Sequence, residues 1–242
     1  GLTSGGFAGR ISYDNSNGVT GQTLIIQNGA NGGAAQSYTL LYNLADFGNK
    51  IATDTSNAHV ALATGVADDG VVRANLRNGV FYGTFAGLGN SLSGLQLNGS
   101  SQTGMFQYTG SGAILRDLAV VNASVNGSYM TGTLVGQAFD GLTLKNLQVA
   151  TTVTASGNAF TGGLVGYTDG GTLGNAYVSG KVRSNSSWVG GIFHHRCEYR
   201  PGKLGRRSDR WFLQRLDLKL RFCRHSGWLR SCGWRGRIRR ML

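Results

Sequence analysis

A repeat of about 29 residues is the feature of this sequence that most restricts its fold. Met105, Leu134 and Leu164 begin equivalent segments 29 and 30 positions apart, and a further copy begins at Ile192. Helical repeats near this length exist, but glycine, asparagine, threonine and valine, which are frequent in these segments, are poor helix formers. Self-similarity at this period therefore predicts a solenoid of stacked strands.

Hydrophobic, glycine and polar positions recur within the repeat. They are Leu134 and Leu164, Gly136 and Gly166, Asp117, Asn146 and Asn175, and Val120, Val149 and Val178. Each unit offers about six apolar side chains, contributing about 2 kcal/mol each when buried, whereas backbone ordering costs about 1 to 2 kcal/mol per residue. One unit therefore cannot fold alone, and stacked units share a core. We expect the Asp and Asn side chains to lie above one another at a turn and to bond each other.

The basic charge of the chain is confined to its C-terminal part. Residues 1–193 carry eight basic and eight acidic side chains, so residues 194–242 supply the whole formal charge of +12. That basic tail also holds all three cysteines and three of the four tryptophans. The charge therefore does not indicate a nucleic-acid-binding surface on the body of the chain.

Composition divides the chain into three regions. We expect a Gly- and Asn-rich leading segment or partial coil at 1–37, a β-solenoid at 38–193, and a basic tail outside the fold at 194–242. Forty glycines and one proline favour many tight turns between short strands. At 38–47, the spacing of Leu and Phe favours a strand followed by a short helix. No apolar run is long enough to span a membrane.

Three segments resemble a known family of repeats. Residues 81–97 read F-Y-G-T-F-A-G-L-G-N-S-L-S-G-L-Q-L, which resembles the segment that precedes GLUG repeats. Residues 162–167 read G-G-L-V-G-Y, which resembles the GLUG motif itself, and 38–47 is similar to the opening of such modules in filamentous-haemagglutinin-type adhesins of Gram-negative bacteria. The chain departs from the family pattern at positions that we interpret as turns, namely Ala86, Asn90 and Gly132 with Thr133.

This resemblance implies a right-handed parallel β-helix in the rod of a two-partner-secreted adhesin, secreted or exposed on the outer cell surface. It also implies an outer-membrane secretion partner and a receptor, either protein or glycan, on a host or bacterial cell. We expect no catalysis, no cofactor and no metal. Such a rod suits export because folding can propagate coil by coil, and residues 1–193 contain no cysteine.

Few residues of the body suggest chemistry. Asp68 and Asp69 are its adjacent carboxylates, and a β-helical polysaccharide enzyme needs acids on one face. Gly70 follows them, which favours a solvated turn instead. His59 lies in a hydrophobic run and is interpreted as a packing residue. Sequences of the N-glycosylation form, which we attribute to chance in a chain rich in Asn and Ser, occur at Asn98, Asn122, Asn126 and Asn185.

The basic tail has three interpretations. Basic residues interleaved with aromatic ones at 211–222 are typical of surfaces that bind single-stranded nucleic acid. Cys223, His225 and Cys232 carry metal-binding groups, but their spacing matches no established ligand pattern. The third interpretation, which we favour over nucleic-acid binding, is translation out of frame, because the fourth repeat stops abruptly after Phe193.

The out-of-frame hypothesis makes a prediction about the coding DNA. Glycine codons begin with GG, so a one-base shift in glycine-rich coding sequence yields codons for arginine, tryptophan or glycine, and the tail is rich in arginine and tryptophan. We expect another frame after codon 193 to restore a Gly-Leu-Val-Gly unit with its Asn and Val positions. Sequencing the coding DNA tests this, and the hypothesis is wrong if neither alternative frame contains the unit.

Overall fold

In the computed structural model, the regular secondary structure of the described residues is almost all β-strand. The residues that the structure describes are 2–3, 6–14, 22–27, 34–47, 58–157, 160–185, 188–190, 193–195 and 210–216. Its strands stack as a β-solenoid of about four turns. The β-solenoid predicted from the repeat is therefore confirmed.

The strands of the described residues are short except for three of 14 residues each. In chain order they are β1 (Leu2–Thr3), β2 (Gly6–Phe7), β3 (Thr23–Gln27), β4 (Ala35–Leu41), β5 (His59–Leu62), β6 (Val66–Ala67), β7 (Asn75–Phe81), β8 (Thr84–Ala86), β9 (Ser91–Ser93), β10 (Gln96–Asn98), β11 (Gly104–Thr109), β12 (Ile114–Gly127), β13 (Val135–Ala138), β14 (Leu142–Ala155), β15 (Phe160–Gly162), β16 (Val165–Thr168), β17 (Gly171–Ser184), β18 (Trp188–Gly190), β19 (Phe193–His195) and β20 (Arg210–Leu216). The long strands β12, β14 and β17 form the broad wall of the solenoid.

Two sheets form the main walls. The larger sheet has the order β20-β17-β14-β12-β8-β5-β4-β3, with β6, β9 and β10 beside it, and the smaller sheet has the order β19-β16-β13-β11-β7. Within the larger sheet, the coils pair in parallel, whereas β3 pairs antiparallel with β4 and β20 pairs antiparallel with β17. Antiparallel strands therefore lie at both ends of the larger sheet. The strand β20 belongs to the basic tail, so part of that tail joins the sheet.

Strand register confirms the alignment of the repeats. Leu115 pairs with Leu144, and Leu144 pairs with Leu173. In the smaller sheet, Val135 pairs with Val165, which in turn pairs with Phe193. Together with the pairing of Phe106 and Val135, this register places Met105, Leu134 and Leu164 at equivalent positions of successive coils, while Ile192 lies outside the described residues.

Phenylalanine side chains fill the solenoid interior. Phe85 and Phe106 are fully buried, with ring centroids 5.9 Å apart. Phe47 packs against both of them, at 5.2 and 5.8 Å. It ends a short helix at 44–47, where the side chain of Asn43 accepts a hydrogen bond of 2.8 Å from a first-turn amide. The short helix predicted after the strand is confirmed, and it contributes Phe47 to the core.

The positions at which the sequence departs from the GLUG pattern differ in their structural roles. Ala86, interpreted above as a turn residue, lies instead within β8, is fully buried and packs in a cluster with Tyr38 and Leu40. An aspartate at this position would be a buried charge, which is costly without a partner. Asn90 does close a turn, because its amide donates to the carbonyl of Gly87 at 2.8 Å.

Residues before β4 pack against the solenoid. The amides of Ile11 and Tyr13 donate to the carbonyls of Leu88 and Ala63, at 2.9 and 2.6 Å. The side chain of Asn90, which is 1% exposed, donates to the Ile11 carbonyl at 2.7 Å. This part of the leading segment is therefore bound to the first coils by backbone and side-chain hydrogen bonds.

Candidate functional site

The repeated hydrophobic positions form the core of the solenoid. Leu134 and Leu164 are fully buried on the smaller sheet. The valines stack on the larger sheet, where Val120 pairs with Val149 and Val149 pairs with Val178, and none of them is more than 6% exposed. These side chains are therefore structural, as the repeat predicted.

The repeated glycines lie where neighbouring backbones approach each other closely. A Cβ atom added to Gly166 would lie 2.4 Å from the Thr131 nitrogen and 2.5 Å from the Gly136 carbonyl oxygen. A Cβ atom on Gly136 would lie 2.7 Å from the Thr103 nitrogen. All these atoms belong to the backbone and cannot rotate away. The second glycine of the Gly-Leu-Val-Gly unit is therefore needed for its lack of a side chain.

The repeated polar residues form a hydrogen-bonded ladder. Nδ2 of Asn146 donates to Oδ1 of Asp117 at 2.7 Å, and Nδ2 of Asn175 donates to Oδ1 of Asn146 at 3.0 Å. The three residues have φ angles of 51° to 54°, a left-handed conformation that Asn and Asp tolerate better than most residues. The predicted stacking and mutual bonding are confirmed.

The sequence predicted that the ladder lies in a turn, but in the structure the ladder lies inside strands. Asp117, Asn146 and Asn175 lie inside β12, β14 and β17. In β12, Leu115 and Leu118 are both buried although they are three residues apart, so the left-handed residue between them shifts the usual alternation of side chains. The ladder therefore marks a corner within each long strand.

The adjacent carboxylates Asp68 and Asp69 are both engaged in local structure. Asp68 accepts hydrogen bonds from the amides of Gly70 and Gln96, at 2.7 and 2.8 Å. Asp69 accepts a hydrogen bond of 2.7 Å from Arg73, and this bond holds the pKa of the Asp69 carboxyl down at about 2. The pair thus stabilises a turn, with Gly70 in a left-handed conformation at φ 78°.

His59 packs at the surface of the larger sheet. Its ring lies edge-on to Tyr38, with centroids 5.4 Å apart. Partial burial lowers the pKa of His59 from its usual value, because desolvation disfavours the charged imidazole. The packing role expected from the sequence agrees with this geometry.

The four N-glycosylation-type asparagines are all exposed, and Asn98 pairs in register with Asn126. The metal-binding side chains of the tail, at Cys223, His225 and Cys232, lie outside the described residues. Within the described ranges, no group of His, Cys, Asp or Glu side chains has a metal-binding arrangement.

An exposed aromatic surface lies on the smaller sheet and was not singled out from the sequence. Two columns of outward positions run across the coils at that wall. One column is Val80, Tyr108, Gln137 and Tyr167; the other, two residues further along each coil, is Tyr82, Gly110, Phe139 and Asp169. We call Tyr82, Tyr108 and Phe139 the aromatic platform. The signal for it in the sequence is the alternation of these residues with buried Phe81, Thr109 and Ala138.

The fold and its repeated positions define a parallel β-solenoid segment. The described residues contain no helix that is long and apolar enough to cross a membrane. No family model and no solved structure matches the chain. The resemblance to GLUG repeats therefore stays a prediction.

One curated protein similar to this chain is Halomucin from Haloquadratum walsbyi, which is 29% identical over 148 residues. That match covers 49% of this chain and 2% of Halomucin. The chain therefore corresponds to a small part of the length of this relative.

We predict that Gly166→Ala destabilises the solenoid, whereas Gly174→Ala does not. The first substitution forces a Cβ atom against backbone, and overpacking costs about 1 to 3 kcal/mol. Gly174 has nothing within 4 Å of an added Cβ atom and lies in β17. Chemical unfolding monitored by circular dichroism measures both, and equal stability of the two variants would refute the close-packing explanation.

The ladder predicts different costs for two substitutions of Asn146. Asn146→Gly removes two side-chain hydrogen bonds, each worth about 1 kcal/mol, but keeps the left-handed backbone unstrained. Asn146→Ala loses the same bonds and adds about 1 to 2 kcal/mol of backbone strain. We therefore expect Ala to lower the free energy of unfolding more than Gly does. The reverse order in denaturant titrations would show that the left-handed corner carries no strain.

Proposed function

We propose that this chain is a non-catalytic structural and adhesive segment of a secreted or surface-exposed rod. The observation that carries this proposal is the continuous stack of coils in register, with β14 paired to β17 from Leu142 to Ala155. Such a stack extends in one direction and leaves its outer faces open along its length. The rod thereby holds its binding surfaces at a distance from the cell surface.

The likeness to Halomucin supports a place within a much longer protein, since the match spans 2% of that relative. The resemblance of residues 38–193 to the GLUG region of filamentous-haemagglutinin-type adhesins supports an adhesive role. In that setting, an outer-membrane secretion partner exports the chain, and a protein or glycan on a host or bacterial cell is its receptor.

The geometry of the acidic turn favours the non-catalytic role over a polysaccharide-cleaving one. Asp68 is held by two amides and Asp69 by Arg73, so both carboxylates already have structural partners. The low pKa of Asp69 keeps that group ionised at neutral pH and unsuited to act as a general acid.

An adhesion assay with beads coated with the full chain tests the proposed function. We expect these beads to bind host or bacterial cells more strongly than beads coated with the Gly166→Ala variant, compared at a temperature at which circular dichroism shows that variant unfolded and the unsubstituted chain folded. Beads coated with Gly174→Ala are the matched control and should behave as the unsubstituted chain. Counting of bound beads by microscopy gives the result. Equal binding by all three coatings would contradict adhesion through the folded rod.

A further inference from the structure

The aromatic platform is a rigid part of the solenoid surface. The ring of Tyr82 lies against the backbone of Gly110 in the next coil. A Cβ atom added to Gly110 would be 2.0 Å from Cε1 of Tyr82. The rings of Tyr108 and Phe139 are nearly parallel, with 5° between their planes and 5.9 Å between centroids. Tyr108 lies within β11, and the amide of Phe139 donates to the carbonyl of Thr109 at 2.8 Å, so the backbone at these rings is fixed and ordering them costs little on binding.

Two of these rings are open to solvent. Tyr82 is 40% exposed and Phe139 is 39% exposed. Large aromatic side chains are usually buried, and exposed clusters of them commonly mark binding sites. Their chain neighbours Phe81 and Ala138 are buried and fill the core at these positions. Tyr82 and Phe139 point to the opposite side of the extended chain, so core packing does not require them to be aromatic.

Hydrogen-bonding groups surround the rings. The hydroxyl of Tyr108 donates to Oε1 of Gln102 at 2.9 Å, and the amide of Gln102 reaches Gln137 at 3.5 Å. At the far end of the columns, the hydroxyl of Tyr167 donates to Asp169 at 2.6 Å. The surface therefore combines flat apolar faces with amides, hydroxyls and a carboxylate.

The charge of this surface selects among ligands. Neither column contains Lys or Arg, and the charged side chain within them is the carboxylate of Asp169. Anionic polymers such as nucleic acids and sulfated glycans need cations for binding. The two columns offer none, so they do not fit an anionic polymer.

The two exposed rings lie in different coils of the stack. Successive coils of a β-solenoid lie about 4.8 Å apart, and Gly110 separates Tyr82 from Phe139, so the two residues are about 10 Å apart along the column. An extended chain of sugar rings matches such a surface, because its apolar ring faces stack on aromatic side chains while its hydroxyls bond amides and carboxylates.

We propose that the aromatic platform binds a neutral polysaccharide that runs across the coils. Tyr82 and Phe139 stack on sugar rings, and Gln102, Gln137 and Asp169 bond the hydroxyl groups beside them. This proposal rests on the proposed adhesive function and names the face and the ligand class through which adhesion occurs.

Surface plasmon resonance of the full chain tests this proposal. The immobilised probes are the neutral polysaccharides laminarin, xyloglucan, galactomannan and hydroxyethylcellulose, with heparin and dextran sulfate as anionic probes. We expect binding to at least one neutral polymer, weakened about tenfold or more by Tyr82→Ala and by Phe139→Ala, as for a buried aromatic anchor. Tyr129→Ala is the matched control, because Tyr129 is 41% exposed and lies outside both columns.

Three results overturn the proposal: no binding to any neutral polymer, binding to anionic polymers alone, or equal losses in Tyr129→Ala and the platform variants. Circular dichroism must show that each variant is folded, and the Tyr82→Phe variant, which keeps the ring, should retain binding. The same variants in the bead assay separate this proposal from the proposed function. Adhesion that persists in Tyr82→Ala and Phe139→Ala refutes the platform and leaves the adhesive rod standing.

Discussion

Register between coils is the constraint on which the rest of this structure depends. Each strand of the stack finds its backbone hydrogen-bond partners in the coils before and after it, so every coil must return the chain to the same place. The pairing of β14 with β17 meets this requirement along the whole of both strands, from Leu142 with Gly171 to Ala155 with Ser184. A coil of the wrong length would displace the hydrophobic positions from the core. The nearly constant repeat length of about 29 residues in the sequence reflects this requirement.

Two kinds of residue maintain the register at the places where the chain bends. Gly136 and Gly166 let backbones meet at distances that no side chain permits. Asp117, Asn146 and Asn175 adopt a left-handed backbone, which Asn and Asp tolerate better than most residues, and the hydrogen bonds of the ladder stabilise it further. Because each ladder residue bonds to its equivalent in the next coil, the corners of different coils are held at the same position.

The sequence predicted those features that repeat and missed those that occur once. The stacking of Val120, Val149 and Val178 follows from spacing alone, as does the ladder. Spacing does not distinguish a corner inside a strand from a turn between strands, so the predicted position of the ladder, at a turn, was wrong. The hydrogen bonds of Asn90 to the leading segment belong to a single coil and leave no periodic signal. The aromatic platform was missed because outward positions vary freely once the inward ones have filled the core, and Tyr108 is replaced by Gln137 in the next coil.

Antiparallel strands pair with the outermost parallel strands at both ends of the larger sheet. A strand at the edge of a sheet presents unpaired amides and carbonyls that recruit further strands. At one end, β3 pairs antiparallel with β4 and covers that edge. At the other end, β20 occupies the edge of β17 along Ala176–Val182, which is where the next parallel coil would pair. A further coil and β20 therefore compete for one set of hydrogen-bonding groups, so addition of another repeat beyond β17 requires β20 to leave this edge.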